Sequence, residues 1–134
     1  MDLVEFLRAR LDEDERIARA TQINNLKAEV SFHGTKSLSW DGDHDTYSTE
    51  GMPAPLAEHI AAHDPVRVLA EVEAKRRAVD ECAYWNEKLA QEAANPSAHP
   101  QPGLGLILDA VNPILPALAL PYADHPDYRE EWRP

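Results

Sequence analysis

The chain has 134 residues, of which 43% are hydrophobic and 28% charged, and this length and composition fit one folded domain. Its 24 acidic residues outnumber the 13 basic ones, and the resulting net charge of −11 disfavours binding to nucleic-acid phosphates or to anionic membranes. The single cysteine, Cys82, excludes an intrachain disulfide and a cysteine-rich zinc module. No secretory pattern follows Met1, so we expect a cytoplasmic protein.

An amphipathic helix is predicted at the N-terminus, over residues 3–22. Asp2 and Glu5 have the spacing of a capping box, in which each side chain accepts a hydrogen bond from the other residue's backbone. Apolar side chains then recur at helical spacing as far as Ala18.

A β region is predicted over residues 27–50. Apolar and polar residues alternate in three short stretches, 28–32, 37–40 and 45–49, which Gly34 and the Asp41-Gly42 pair separate. This pattern predicts a three-stranded antiparallel meander. Such a small sheet needs a helix against its apolar face to be stable.

A helical core is predicted over residues 55–94. A short helical segment ends near His63, and Asp64 and Pro65 then have the chemistry of an N-cap and a first helical residue. Apolar residues at three-four spacing continue to about Ala93. We expect this long central helix to cover the sheet.

A Pro-rich linker, 95–103, precedes a C-terminal helix and an aromatic tail, 104–134. Pro113 and Pro116 are expected to kink or restart the helix. The apolar run 104–120 is a residue or two short of a membrane span and is interrupted, so we do not predict a transmembrane helix. The sequence therefore predicts a single α+β domain over 1–134, with the N-terminal and C-terminal helices flanking the meander and the central helix.

Four segments carry a resemblance to a known family: 3–15, 59–65, 71–77 and the tail 120–134. Together they resemble a family of small actinobacterial proteins of unknown function. The order of helix, small sheet and Pro-started helix is also similar to that of phage early and prophage proteins. The resemblance implies this fold outline and an actinobacterial or phage origin, and it implies no known activity. The family's Pro-Gly-Trp turn after the first helix is replaced here by residues 22–25.

His59 and His63 form the candidate metal site. They are four residues apart, so on a helix they share one face, and a divalent metal would need Asp64 or a distant histidine to complete its ligands. A zinc protease motif requires Glu directly after the first histidine, where this chain has Ile60. The alternative is that one histidine packs and the other caps the helix end.

Tyr122, Tyr128 and Trp132 in the tail are the candidate partner-binding residues. Aromatic side chains anchor protein interfaces, but they also anchor termini to their own domain, and both alternatives stay open. Cys82 has no histidine or positive charge placed near it by the sequence, so it is predicted to be a buried small hydrophobe.

No catalytic constellation stands out, which favours a non-enzymatic interaction or accessory protein that binds a protein partner or itself, as a homodimer through an apolar helix face. We expect no cofactor, no direct nucleic-acid binding and no membrane. Two alternatives remain: a metal-binding protein or metal-dependent hydrolase that uses His59 and His63, and an acidic mimic of nucleic acid that occupies a DNA-binding partner.

Overall fold

The computed structural model describes residues 1–30, 33–42, 46–96 and 103–134. Its fold is α+β, with an N-terminal helix, a three-stranded antiparallel sheet and a long central helix, and this confirms the predicted fold class. In chain order the elements are α1 (Leu3–Ala20), β1 (Asn24–Val30), β2 (Thr35–Asp41), β3 (Thr46–Pro53), α2 (Ala54–Ala62), α3 (Pro65–Ala94), α4 (Leu104–Val111), α5 (Ile114–Ala119) and two short 3-10 helices, Leu120–Tyr122 and Glu130–Trp132.

The chain forms two compact units. One comprises Met1–Asp12 and Glu73–Pro134, and the other comprises Glu13–Val72. We refer to them as the terminal unit and the sheet unit. The single domain over 1–134 stays a prediction.

Helix α1 begins with the predicted capping box. The Glu5 amide donates to the Asp2 carboxylate at 2.8 Å, and the Asp2 amide donates to the Glu5 carboxylate at 2.9 Å, so two free amides of the first turn are paired. The helix ends at Ala20, two residues before the predicted end, because Gln22 adopts a left-handed conformation with φ 52°.

The sheet has the order β1-β2-β3, and Leu38 on the central strand is its buried residue, with Ala28 and Thr49 opposite it. Helix α2 packs on all three strands: Ala57 is fully buried, and Glu58 pairs with Lys36 of β2 at 2.5 Å. The chain passes directly from Pro53 into α2, so this short helix packs on the sheet, a contact that the sequence did not predict. The predicted strand positions 31, 32 and 45 lie outside the described residues.

Helix α3 begins where the sequence predicts, at Pro65. The Arg67 amide donates to the Asp64 carboxylate at 2.6 Å, which is the bond of a helix N-cap. It ends at Ala94, one residue beyond the predicted end. Linker residues 97–102 lie outside the described residues.

The core of the terminal unit is formed by side chains from both ends of the chain. Its largest fully buried side chains are those of Phe6, Leu7, Leu11, Val79 and Cys82.

Candidate functional site

The predicted histidine pair lies at the end of α2, in the sheet unit. The His59 and His63 rings are 4.4 Å apart between centroids, and both side chains are exposed. His63 Nδ1 donates to the His59 carbonyl oxygen at 2.8 Å, because a carbonyl can only accept. The Nε2 atom of a neutral His63 therefore keeps a free lone pair, as metal-binding histidines require.

His63 also lines a shallow groove of about 230 Å³ in the sheet unit. The other lining residues come from the second half of α1, the turn that follows it and the start of α3: Asp14, Ile17, Ala18, Thr21, Pro65 and Val68. Within the described residues, no three histidine, cysteine or acidic side chains converge as a metal centre would need. The metal site at His59 and His63 stays a prediction.

The aromatic tail packs around Phe6 of α1, within the terminal unit. Phe6 has no solvent exposure, and its ring centroid lies 5.0 Å from that of Trp132, 6.0 Å from Tyr128 and 6.4 Å from Tyr122. Most of these ring pairs meet edge to face, the arrangement that aromatic quadrupoles favour. The tail aromatics thus make internal contacts, and their role in binding a partner stays a prediction.

Charged and polar groups fix the tail in this position. The Arg10 guanidinium lies over the Phe6 ring, 5.7 Å from its centroid, and contacts His125 Nε2. The Asp127 amide donates to the other ring nitrogen of His125 at 3.1 Å. Near the C-terminus, the Arg133 guanidinium beside Glu130 lowers the pKa of that carboxyl. Sequence reasoning identified the tail aromatics but missed Phe6 and His125, because no local pattern pairs the two ends of a chain.

A third feature, which the sequence analysis did not single out, is an exposed apolar stripe on the C-terminal helices. We define the C-terminal stripe as the exposed residues Leu106, Ala110, Ile114, Ala117 and Leu120, which are spaced four, four, three and three residues apart. Leu106 is 77% exposed, Ile114 37% and Leu120 43%. Three-four spacing places all five on one side of a helix.

The opposite side of the same helices is also apolar, and it is buried. Leu108, Leu115 and Ala119 lie in the core. The segment Leu104–Tyr122 has a mean hydropathy of 1.6 and is long and apolar enough to cross a membrane, yet only 17% of it is buried. A helix that is apolar all round normally has both sides covered, by protein or by lipid. The sequence pattern alone could not show which side of these helices packs against the rest of the chain.

The stripe is continuous across the break between α4 and α5. Asn112 and Pro113 both keep right-handed helical torsions. The Asn112 amide donates to the Leu108 carbonyl at 2.8 Å, and the Ala117 amide donates to the Pro113 carbonyl at 3.3 Å. Pro113 restarts the helix as the sequence predicts, and Pro116 lies in the first turn of α5, where its missing N–H costs little.

Cys82 does not form a reactive centre. Its side chain is almost completely buried, and its thiol faces the Val111 carbonyl, with 3.8 Å between Sγ and oxygen. Burial, reinforced by the nearby Glu81 carboxylate, raises the pKa of the Cys82 thiol, so the nucleophilic thiolate is disfavoured.

The fold and these surfaces define a small acidic α+β protein with an exposed apolar face on its C-terminal helices. The chain belongs to the family of unknown function DUF6221, whose family model matches residues 1–134. This supports the predicted resemblance to a family of uncharacterised proteins, while the actinobacterial or phage origin stays a prediction. No curated protein and no solved structure matches the chain.

Proposed function

We propose that this protein is a non-enzymatic interaction protein that pairs with a second copy of itself through the C-terminal stripe. The observation that carries the proposal is the contrast within Leu104–Tyr122, which is as apolar as a membrane span but only 17% buried. Burial of apolar surface contributes about 25 cal/mol of favourable free energy for each Å² removed from water. Binding of another molecule over this face is therefore favoured.

The chemistry of the segment favours a protein cover over a lipid one. Helices that lie on membranes carry Lys and Arg on their polar face, and residues 104–122 contain neither. The one charged residue in the segment is Asp109, which is exposed. The net charge of −11 further opposes approach to an anionic bilayer.

The expected affinity is modest. A standard interface uses about 20–30 residues a side, and the stripe offers far fewer, so we expect a dissociation constant on the order of micromolar. A concentration-dependent monomer–dimer equilibrium is therefore the behaviour to look for.

Sedimentation equilibrium over a wide range of concentrations tests the proposal. The wild type should dimerise, and Leu106→Glu should dimerise at least about tenfold more weakly, because an unpaired carboxylate would be buried in an apolar contact. The matched control is Gly105→Glu, which adds the same charge one residue away; Gly105 is exposed, and nothing lies within 4 Å of an added Cβ.

A wild type that stays monomeric throughout would overturn the proposal, as would equal weakening by both variants. Co-sedimentation with zwitterionic phosphatidylcholine vesicles is the companion measurement. Monomeric protein that binds these vesicles through Leu106 would show that lipid, rather than a second copy, covers the stripe.

The second candidate function is divalent metal binding by His59 and His63. What favours it is the hydrogen bond from His63 Nδ1 to the His59 carbonyl, which leaves Nε2 available as a ligand. Zinc titration of the wild type and of His63→Ala tests it.

A further inference from the structure

We infer that the groove beside His63 binds a protonated primary alkylamine, with the Asp14 carboxylate and His63 Nε2 as the acceptors of its ammonium group. Every residue that lines this groove falls within the sheet unit, Glu13–Val72. The inference is therefore independent of the proposed dimer, which uses the C-terminal stripe. It comes from the hydrogen-bond donors and acceptors that the groove wall presents.

The side chains that line the groove offer acceptors and no free donor. His63 Nδ1 already donates to the His59 carbonyl oxygen at 2.8 Å, which leaves a lone pair on Nε2 of the neutral ring. The Thr21 hydroxyl donates to the Ala18 carbonyl oxygen at 2.8 Å. Asp14 is half-buried and is the one charged residue of the lining, and its carboxylate accepts only.

The backbone amides of the lining residues are also paired. Three of them donate to a carbonyl three or four residues earlier, at 3.0–3.4 Å: those of Thr21, His63 and Val68. Three more lie inside α1, where each amide donates to the carbonyl four residues earlier: those of Asp14, Ile17 and Ala18. The remaining lining residue, Pro65, has no amide hydrogen. An anion or a carbonyl group in the groove would thus find no donor on the residues that line it.

A ligand that fits this wall must donate hydrogen bonds, and the Asp14 carboxylate favours a cation. A primary ammonium group is compact, carries three donors and has no acceptor that would be left unpaired. A divalent metal would need a third ligand, and within the described residues no three metal-binding side chains converge. The net charge of −11 also attracts cations to the protein.

The rest of the lining is apolar and suits an alkyl stem. Ile17, Ala18, Pro65 and Val68 form these walls, and Ile17 is 52% exposed. The groove, at about 230 Å³, is smaller than the pockets of about 300–1,000 Å³ that hold drug-sized molecules. The stem is therefore a short one, such as that of pentylamine or of a lysine side chain, whose methylene groups pack on apolar surface while the charge remains at the end.

Titration of the full chain with pentylammonium chloride at constant ionic strength, followed by amide proton–nitrogen correlation NMR spectra, tests the inference. The signals of the lining residues should shift in one saturable step, with a dissociation constant on the order of millimolar, because the groove is small and open to solvent. Pentanoate and pentanol have a similar stem without the positive charge. Both should bind at least about fivefold more weakly, because they cannot form charge-assisted hydrogen bonds to Asp14.

Asp14→Asn keeps the shape of the side chain but removes its charge and adds a donor, so it should weaken pentylammonium binding at least about fivefold. The matched control is Asp64→Asn, which removes the same charge in the same unit at a position outside the lining and keeps an oxygen that can cap α3. Its affinity should remain close to that of the wild type. Ile17→Ser removes an apolar wall at an exposed position, and it should also weaken binding.

Circular dichroism establishes that each variant is folded. Equal affinities for pentanoate and pentylammonium, equal affinities of the two asparagine variants for pentylammonium, or no shift at tens of millimolar amine would each overturn the inference. Nα-acetyl-lysine methylamide separates the two sources of the ammonium group. If it binds as tightly as pentylammonium, a lysine side chain of a polypeptide can occupy the groove; if pentylammonium alone binds, the ligand is a free amine.

Discussion

The ring of Phe6 lies 5.0 Å from the ring of Trp132, which joins the second turn of the first helix to the last turn of the chain. Both side chains are buried, at 0% and 8% exposure. The tail is therefore part of the core of the terminal unit.

Phe6→Ala should lower the free energy of unfolding by about 3–5 kcal/mol, because it removes a fully buried ring and leaves a cavity among the tail aromatics. Urea denaturation followed by circular dichroism measures this. Phe6→Leu is the control, and it should lower the free energy of unfolding by clearly less than Phe6→Ala does. A loss below about 1 kcal/mol for the alanine variant would mean that the tail does not depend on Phe6.

Asp2→Ala should lower the free energy of unfolding by about 1 kcal/mol, because the Glu5 amide loses the carboxylate that caps it. Asp2→Asn keeps an oxygen acceptor at the same position and should remain close to wild type. Thermal unfolding of the three proteins, compared at one pH, gives the difference. Equal stability of all three would contradict the capping contribution.

Cys82 should react with a thiol reagent far more slowly in the folded protein than in urea, because burial raises its pKa and hides the sulfur. A raised thiol pKa contributes stability that is fully present below the ordinary pKa of cysteine and is lost as the pH rises through the raised value. The free energy of unfolding of Cys82→Ala should therefore fall less steeply than that of the wild type as the pH is raised into the alkaline range. Rapid labelling of the folded protein at pH 8 would contradict the buried position.

Zinc should bind to the wild type with a weak, single-site isotherm that His63→Ala abolishes, because one imidazole alone does not chelate. His33→Ala is the control, since His33 is exposed in the turn between β1 and β2. Isothermal titration calorimetry measures both. Identical isotherms for the wild type and His63→Ala would remove the histidine pair as a metal site.

Leu106→Glu should leave the free energy of unfolding of the monomer nearly unchanged while it weakens dimerisation, because the side chain is 77% exposed in the single chain. Urea denaturation at a concentration too low for dimers separates the two effects. A loss of more than about 2 kcal/mol in the monomer would mean that Leu106 packs on its own chain.

Local chemistry was enough to predict the start of α1, the start of α3 and the presence of a three-stranded antiparallel sheet. A capping side chain and the residues it caps are neighbours in the sequence, so Asp2 and Asp64 could be recognised as helix N-caps from the sequence alone. The packing of α2 on the sheet and the Phe6–Trp132 contact were not predicted, because they depend on the path of the chain between distant residues. The C-terminal stripe was missed for a different reason. Both sides of α4 and α5 are apolar, so periodicity could not tell the buried side from the exposed one.

The pairing of Phe6 with Trp132 also sets the order of events during synthesis. Phe6 and Trp132 are 126 residues apart in the sequence, so at 5–20 residues per second the interval between their synthesis is on the order of ten seconds. Throughout that time the Phe6 ring lacks the aromatic partners that the tail supplies. The terminal unit can therefore complete its core only after translation has reached the tail, and the nascent chain must remain free of aggregation until then.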